Sequence, residues 1–529
     1  MNAAQVMNLG QLLSQAAQLY PDQPGLIQED KSWTWIEINA RVDAMVAALR
    51  YKGVKKGDKI LVQSRNNIQL FESCWVAFRL GCVWVPTNFR LTPPEISYLG
   101  ASSGARALIY EREFAEHVDA VKAASTAVEF VVCIGDPRPG ESSYEELVER
   151  HADHPVEPEV VQYDDPLWFF YTSGTTGKPK AGILTHGQMA FVVTNHLAEL
   201  IPGTTQADCS IAVAPLSHGA GIHALLNVAR GASTVLMPGE KLNPDMFWRL
   251  VQRHRVSNLF TVPTIVKMLV EHPSVDAYDH SSLRYVIYAG APMYRADQKY
   301  ALQKLGKVLV QYFGLGEVTG NITVLPREMH SADDEDLNAN IGSCGRPRVG
   351  MEIAILDDAL QHVARGTVGE VCCRGPAVFY GYHNNADATA KAFRGGWFHT
   401  GDLGRLDSRG LLYITGRESD MYISGGSNVY PREVEEVLLT HPGVAEVAVL
   451  GIPDPKWGEV GVAVIVRQVA MPPIDQQALL AHLDGRCAKY RWPRQVFFWD
   501  SLPKSGYGKV TKKDVLRILT ERGDIAQLS

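Results

Sequence analysis

Nothing in this chain points to a disulfide framework, a membrane span or a nucleic-acid surface. Its 8 cysteines (Cys74, Cys82, Cys133, Cys209, Cys344, Cys372, Cys373 and Cys487) include no Cys-x-x-Cys pair and lie scattered in apolar surroundings. Reduced thiols in a cytoplasmic protein are the expectation. No uninterrupted apolar stretch reaches the length of a transmembrane helix. Residues 1–20 lack a basic n-region and a continuous apolar core, so no signal peptide is expected. The net charge of −7 gives no general attraction to nucleic acid or anionic membrane. There is no tandem repeat and no low-complexity segment. What remains is a chain of 529 residues, 46% hydrophobic and 21% charged, long enough for two or more domains around a large core.

Strand and helix alternate through most of it. Helical spacing at 9–20, 36–51 and 70–80 is interleaved with strand-like runs at 59–63, 82–86, 107–110 and 130–134. That rhythm argues for a parallel sheet with helices on its faces. Residues 135–165, rich in Pro, Asp and Glu, read as a surface connection. The rhythm resumes after it, with a helix at 187–200 and strands at 209–215, 233–237, 259–262, 285–288 and 308–311. From 351 to 417 the pattern becomes all-β with Gly-rich turns. Beyond about 418 a helix at 431–439 and a strand at 444–451 open a further α+β unit. Residues 486–522 hold ten Lys or Arg against three Asp or Glu, an excess suited to polyphosphate, although such runs more often form a solvated face.

The stretch 171–182, YTSGTTGKPKAG, organises the rest. It follows the apolar run Leu167, Trp168, Phe169, Phe170, Tyr171, as a turn follows a buried strand. Thr172, Ser173, Gly174, Thr175, Thr176 and Gly177 concentrate hydroxyl donors and glycines that let backbone N–H groups approach an anion, and Lys178 and Lys180 add charge. It is a phosphate loop by chemistry, but not a Walker A loop: only two residues separate Gly174 from Gly177, and Pro179 follows Lys178. A P-loop kinase is therefore set aside.

This loop resembles the signature loop of the adenylate-forming superfamily, which includes acyl-CoA synthetases, aryl-CoA ligases, luciferases and peptide-synthetase adenylation domains. Five further segments match that superfamily in order. They are YAGAP at 288–292, QYFGLGEVTG at 311–320, WFHTGD at 397–402 continuing to Tyr413 and Arg417, RESDMYISGGSNVYPRE at 417–433, and LPKSGYGKV at 502–510.

The resemblance implies a fold and a set of roles. The fold class is α/β: a large N-terminal domain, 1–418, of two α/β subdomains and a small β-barrel-like subdomain, then a small mobile α+β domain, 419–529. Carried over, Glu317 ligates Mg²⁺ with Thr172 beside it, a hard oxygen set of the kind that ion prefers. Phe313 stacks on adenine, and Gln311, Tyr312, Gly314, Gly290, Ala291 and Pro292 line the nucleotide site. Asp402 accepts from the ribose hydroxyls, and Arg417, with Tyr413, contacts ribose or phosphate. Ser419 falls on the hinge. Ser424, Gly425 and Gly426 approach the CoA arm. Lys509 is the catalytic lysine, neutralising charge as pyrophosphate leaves.

Two departures stand out. Phe313 replaces the usual Tyr, and Gly316 replaces a Thr that donates to the AMP phosphate. The acyl pocket falls on His218, Gly219, Ala220, Gly221, Ala289 and Gly290. With Gly316 these small residues suggest a roomy cavity. His218 sits where amino-acid-activating relatives usually place an Asp, which argues against an amino-acid substrate; a gate, a carboxylate neighbour and a packing role all fit it. No arginine is evident for a second carboxylate.

The resulting expectation is an acid–thiol ligase that uses ATP, Mg²⁺ and CoA. It activates a medium- or long-chain fatty acid or, alternatively, an aryl acid of benzoate or cinnamate type. Its partners are those small molecules, with a homodimer left open. Loading of a carrier protein, a luciferase-like oxygenation and a non-catalytic nucleotide binder are the competing readings.

Overall fold

The computed structural model describes residues 5–525 except 153, 173–177, 240, 292, 337–338, 418, 425–426, 470 and 505–509. Two helices that flank the first sheet, α1 (Trp35–Tyr51) and α2 (Ile68–Arg79), each begin at a polar cap. Thr34 and Glu37 form a reciprocal capping box on α1, and Asn67 accepts from Leu70 N–H on α2. The sheet has seven strands: β1 (Lys59–Gln63), β2 (Val83–Pro86), β3 (Ala107–Glu111), β4 (Phe130–Ile134), β5 (Ser142–Ser143), β6 (Pro166–Thr172) and β7 (Lys180–Thr185), in the order β7-β6-β2-β1-β3-β4-β5. All pairings are parallel except the hairpin β6/β7. β6 is buried on both faces, which explains its unbroken apolar run.

Residues 135–165 are not a bare surface connection. They contain β5 and the helix α3 (Tyr144–Arg150), whose Tyr144, Leu147 and Val148 are buried. Glu145 of α3 ties it down, pairing at 2.8 Å with Arg41 of α1, which also pairs at 2.5 Å with buried Glu72 of α2. Three buried apolar residues give too weak a periodic signal to outweigh the charged composition around them.

The second sheet is larger and changes character partway. Its parallel half comprises β8 (Cys209–Ala212), β9 (Ser233–Leu236), β10 (Asn258–Thr261), β11 (Tyr285–Tyr288) and β12 (Leu309–Phe313), covered by α4 (His186–Glu199) and α5 (Gly219–Val228). From β12 onward every pairing is antiparallel: β13 (Thr323–Leu325), β14 (Ser343–Pro347), then the β-rich unit of β15 (Glu352–Leu356), β16 (Gly369–Arg374), β17 (Trp397–Leu406) and β18 (Leu412–Arg417). The chain therefore reverses direction just after β12, at Gly316 and Glu317. Ligand sites of α/β sheets form at the carboxyl ends of strands where the order changes.

A small C-terminal unit follows, with its own five-stranded sheet and separate apolar clusters on its two faces. Its first helix, α6 (Pro431–Leu439), docks against β18, where Arg432 Nη1 donates to the Ile414 carbonyl at 3.0 Å. The structure is thus mixed α/β, with a large N-terminal and a small C-terminal part. Among the described residues all eight cysteines are free thiols, seven of them buried, and no helix is long and apolar enough to cross a membrane.

Candidate active site

The carboxyl ends of β6, β8, β11 and β12 converge. Thr172, the last residue of β6, donates its hydroxyl to Glu317 Oε1 at 2.9 Å, and the Tyr382 hydroxyl donates to the same oxygen at 2.9 Å. Glu317 is 6% exposed, and its backbone carbonyl accepts from Phe379 N–H at 2.7 Å. Burial and the adjacent Glu317 carboxylate raise the Tyr382 phenol far above its ordinary range, so it remains a neutral donor. Lys180 lies over the Tyr382 ring at 5.2 Å and Lys178 over the Tyr98 ring at 5.4 Å, which keeps both cations at the mouth of the β6/β7 hairpin. Ser173, Gly174, Thr175, Thr176 and Gly177 lie outside the described residues, as do Pro292, Gly425, Gly426 and Lys509.

Behind Glu317 the site is aromatic. Edge-to-face and tilted rings run from Trp75 through Phe78, Trp84 and Trp168 to Phe170, and Phe170 meets the His218 ring at 4.4 Å. His218 is the residue that precedes α5. The small residues do not leave a roomy cavity. A Cβ on Gly316 would stand 2.6 Å from two carbons of the Phe170 ring and 2.9 Å from Thr172 Cγ2. One on Gly219 would stand 2.7 Å from Phe260, and one on Gly221 would stand 2.0 Å from the Leu216 carbonyl oxygen and 3.1 Å from Trp168. Ala220 and Ala289 are buried. Small residues here admit neighbouring rings rather than empty space. Phe260 and Tyr312 lie nearly parallel, 5.7 Å apart at 13°. Next to Phe260 the residues Ser210, Ala220, His223 and Thr234 enclose about 10 Å³, room for about one water.

The remaining nucleotide-site candidates flank this centre. Gly290 follows β11 at φ +83°, a left-handed turn suited to glycine, between buried Ala289 and half-buried Ala291. Gln311 Oε1 accepts from the Tyr288 hydroxyl at 3.2 Å. Phe313 packs against the apolar cluster of the β-rich unit that includes Cys344 and Leu412. Gly314 faces the Gly320 backbone, where a Cβ would come within 2.6 Å. Asp402 and Arg417 are direct cross-strand partners on β17 and β18, and Arg417 Nε lies 3.2 Å from Asp402 Oδ1. Arg405 covers the Tyr413 ring at 4.6 Å. Beyond β18, exposed Ser419 donates to Asp420 at 3.3 Å, and Ser424 is buried in a strand of the C-terminal sheet.

Three residues near this centre escaped the sequence reading. Tyr382 and Phe260 carry no local motif. Arg348, just after β14, is 1% exposed beneath α4, with Nε 3.3 Å from Glu199 Oε2.

A family model described as "AMP-binding enzyme" matches residues 13–383, and one described as "AMP-binding enzyme C-terminal domain" matches residues 433–509. The chain is 34% identical over 511 residues to a feruloyl-CoA synthase of an Amycolatopsis species, covering 96% of this chain and 98% of that one. It is 32% identical over 510 residues to the long-chain-fatty-acid–CoA ligase FadD13 of Mycobacterium tuberculosis, covering 96% and 97%. Among solved structures it resembles an o-succinylbenzoate CoA synthetase of Bacillus subtilis bound to its acyl-adenylate, with a TM-score of 0.82, 31% identity, and 97% and 98% of the two chains covered.

Proposed function

This chain belongs to the AMP-binding enzymes, and on that premise we propose that the acid it activates is an aromatic carboxylate. It is an acid–CoA ligase that works through an acyl-adenylate and uses ATP, Mg²⁺ and CoA. The observation that carries the aromatic reading is the concentration of rings at the site, with Phe260 stacked on Tyr312 and Phe170 against His218. An aromatic acid can pack edge-on or offset against these rings, and the rings that fill the space beside Gly316, Gly219 and Gly221 take up room a long chain would need. The fatty-acid reading is the second, supported by similarity to the ligase FadD13.

In this reading Glu317 and Thr172 hold Mg²⁺. Their oxygens fit a hard cation, and Glu317 is a buried carboxylate already fixed in place by two hydroxyls. Bound there, Mg²⁺ offsets the negative charge of the triphosphate. The residues of the chain do the rest. The 173–177 loop with Lys178 holds the phosphates, and Asp402 with Arg417 holds the ribose. Phe313 covers the adenine, and His218 sits beside the acid. A carboxylate oxygen of the acid attacks the α-phosphorus and pyrophosphate leaves, with Lys509 neutralising charge. The CoA thiol then attacks the acyl carbon and AMP leaves. Catalysis in both steps is chiefly positioning and charge neutralisation. The domain division at 418/419, with Ser419 as the hinge and Ser424 to Gly426 at the CoA arm, lets the C-terminal unit serve both steps.

A one-pot competition tests the substrate class: equimolar phenylpropionate and decanoate with ATP, Mg²⁺ and CoA, read by mass spectrometry of the thioesters. Predominance of the phenylpropionyl thioester supports the aromatic reading. Predominance of decanoyl-CoA returns the fatty-acid reading to first place.

A further inference from the structure

The buried charge beneath α4 has more donors than partners. Arg348 follows β14, and its backbone N–H donates to the Ile322 carbonyl at 3.1 Å, which fixes the start of the side chain. The guanidinium is 1% exposed. Its Nε pairs with Glu199 Oε2 at 3.3 Å, and that same oxygen accepts from Val349 N–H at 3.2 Å. Nη1 and Nη2 have no hydrogen-bond partner among the described residues. Leaving donors of a buried cation unpaired is costly, on the order of 1–3 kcal/mol for an ordinary polar group and more for a charged one. Such an arrangement calls for an occupant.

The surroundings locate it. Glu199, the partner of Arg348, closes helix α4, which one turn earlier carries His196, and the His196 ring lies 5.9 Å from the Tyr312 ring. Tyr312 in turn lies parallel to Phe260, the wall of the small cavity at α5. On that side His223 shares a 2.7 Å hydrogen bond with Asn258, and the Thr234 hydroxyl has no partner among the described residues. Burial holds both His196 and His223 neutral. Beyond the Phe260/Tyr312 pair, then, the groups are polar. A plain hydrocarbon tail reaching them would leave the Arg348 Nη1 and Nη2 donors and the Thr234 hydroxyl without partners.

We propose that Arg348 is a specificity residue of the acyl site, its two free guanidinium nitrogens receiving an oxygen acceptor carried by the acid at the end remote from the carboxylate being activated. The acceptor is a ring hydroxyl, a keto group or a second carboxylate. The inference rests on the aromatic acid–CoA ligase reading and adds to it the far end of the substrate. Glu199 holds the guanidinium through Nε and so presents Nη1 and Nη2 as a fork, a geometry suited to one acceptor oxygen or to both oxygens of a carboxylate.

The test compares phenylpropionate with its para-hydroxy, para-acetyl and para-carboxy derivatives, on the full-length wild-type enzyme and on variants. R348M is made together with E199Q, because R348M alone would strand a buried carboxylate. R348K keeps the charge without the fork. The expected result is a wild-type kcat/KM about ten-fold or more higher for at least one oxygen-bearing derivative than for the parent acid. That preference is lost in R348M/E199Q, where the parent acid changes by less than about three-fold, and is partly kept in R348K. The derivative that responds identifies which acceptor is read. Equal preference in the wild type, or an equal fall for all four acids in R348M/E199Q, would overturn the proposal and leave Arg348 a packing residue solvated by water. Calorimetric titration of the four acids needs no turnover. A Kd ratio favouring the oxygen-bearing acids would support the proposal even if no pyrophosphate were released, an outcome that would instead refute the ligase reading.

Discussion

The Thr172 hydroxyl donates to Glu317 Oε1 at 2.9 Å, across 145 residues of sequence. This one bond joins the end of strand β6 to the turn at which the second sheet reverses direction. Tyr382 completes the arrangement from a third segment. The carboxylate is therefore buried, oriented and directed before any ligand arrives, which is the preorganisation that catalysis by charge neutralisation needs.

Glu317→Gln keeps the size of the side chain and removes its charge. Pyrophosphate release should fall by about 10²-fold, and the Mg²⁺ concentration giving half-maximal rate should rise. Titrating Mg²⁺ against rate in both proteins checks this. An unchanged Mg²⁺ dependence would remove Glu317 from the metal site.

Gly316→Thr restores the residue usual in the superfamily, yet it should harm this enzyme. Its Cβ would press 2.6 Å from the Phe170 ring, a strain of about 1–3 kcal/mol. The melting temperature and the adenylation rate should both fall, and Phe170→Leu in the same protein should recover part of each. A faster Gly316→Thr enzyme would show that the missing hydroxyl, not the packing, governs this position.

These two residues show what the sequence could and could not reveal. The strand β6 and the alternation of strands and helices were legible because each is a local pattern of apolar spacing. Glu317 was legible through its motif. The ring that fills the space beside Gly316 was not, because a glycine says only that no Cβ is present. The Tyr382 contact, 65 residues from Glu317, and the burial of Arg348 under α4 depend on how separate segments pack. Helix α3 was hidden by the acidic and proline-rich composition around it.

Stability should decline on the acidic side. Burial lowers His186, His223 and His330 from the ordinary 6.5 to about 4, so the folded chain binds these protons more weakly than the unfolded one. The stabilisation is present above pH 6.5 and is lost as pH falls through about 4, by about 3 kcal/mol for each histidine. Melting curves between pH 7.5 and pH 4 should show the loss, and His330→Gln should make it shallower. A melting temperature flat across that window would contradict the assignment of these rings as neutral.

The two half-reactions should separate by mutation. Lys509→Ala should abolish acyl-AMP formation while ATP still binds, and should retain thioester formation from supplied acyl-AMP. Gly425→Leu should do the reverse, slowing the CoA step more than adenylation. Measuring pyrophosphate release and CoA consumption separately decides both. Equal losses in the two steps would withdraw the division of labour between the residues.

The most direct measurement is pyrophosphate release from Mg-ATP across a panel of aromatic and alkanoic acids, run with and without CoA. The account predicts release that follows the aromatic acids and becomes multiple-turnover only when CoA is added. Release that follows long alkanoic acids would contradict the aromatic reading, and no release with any acid, despite bound ATP, would contradict the ligase itself.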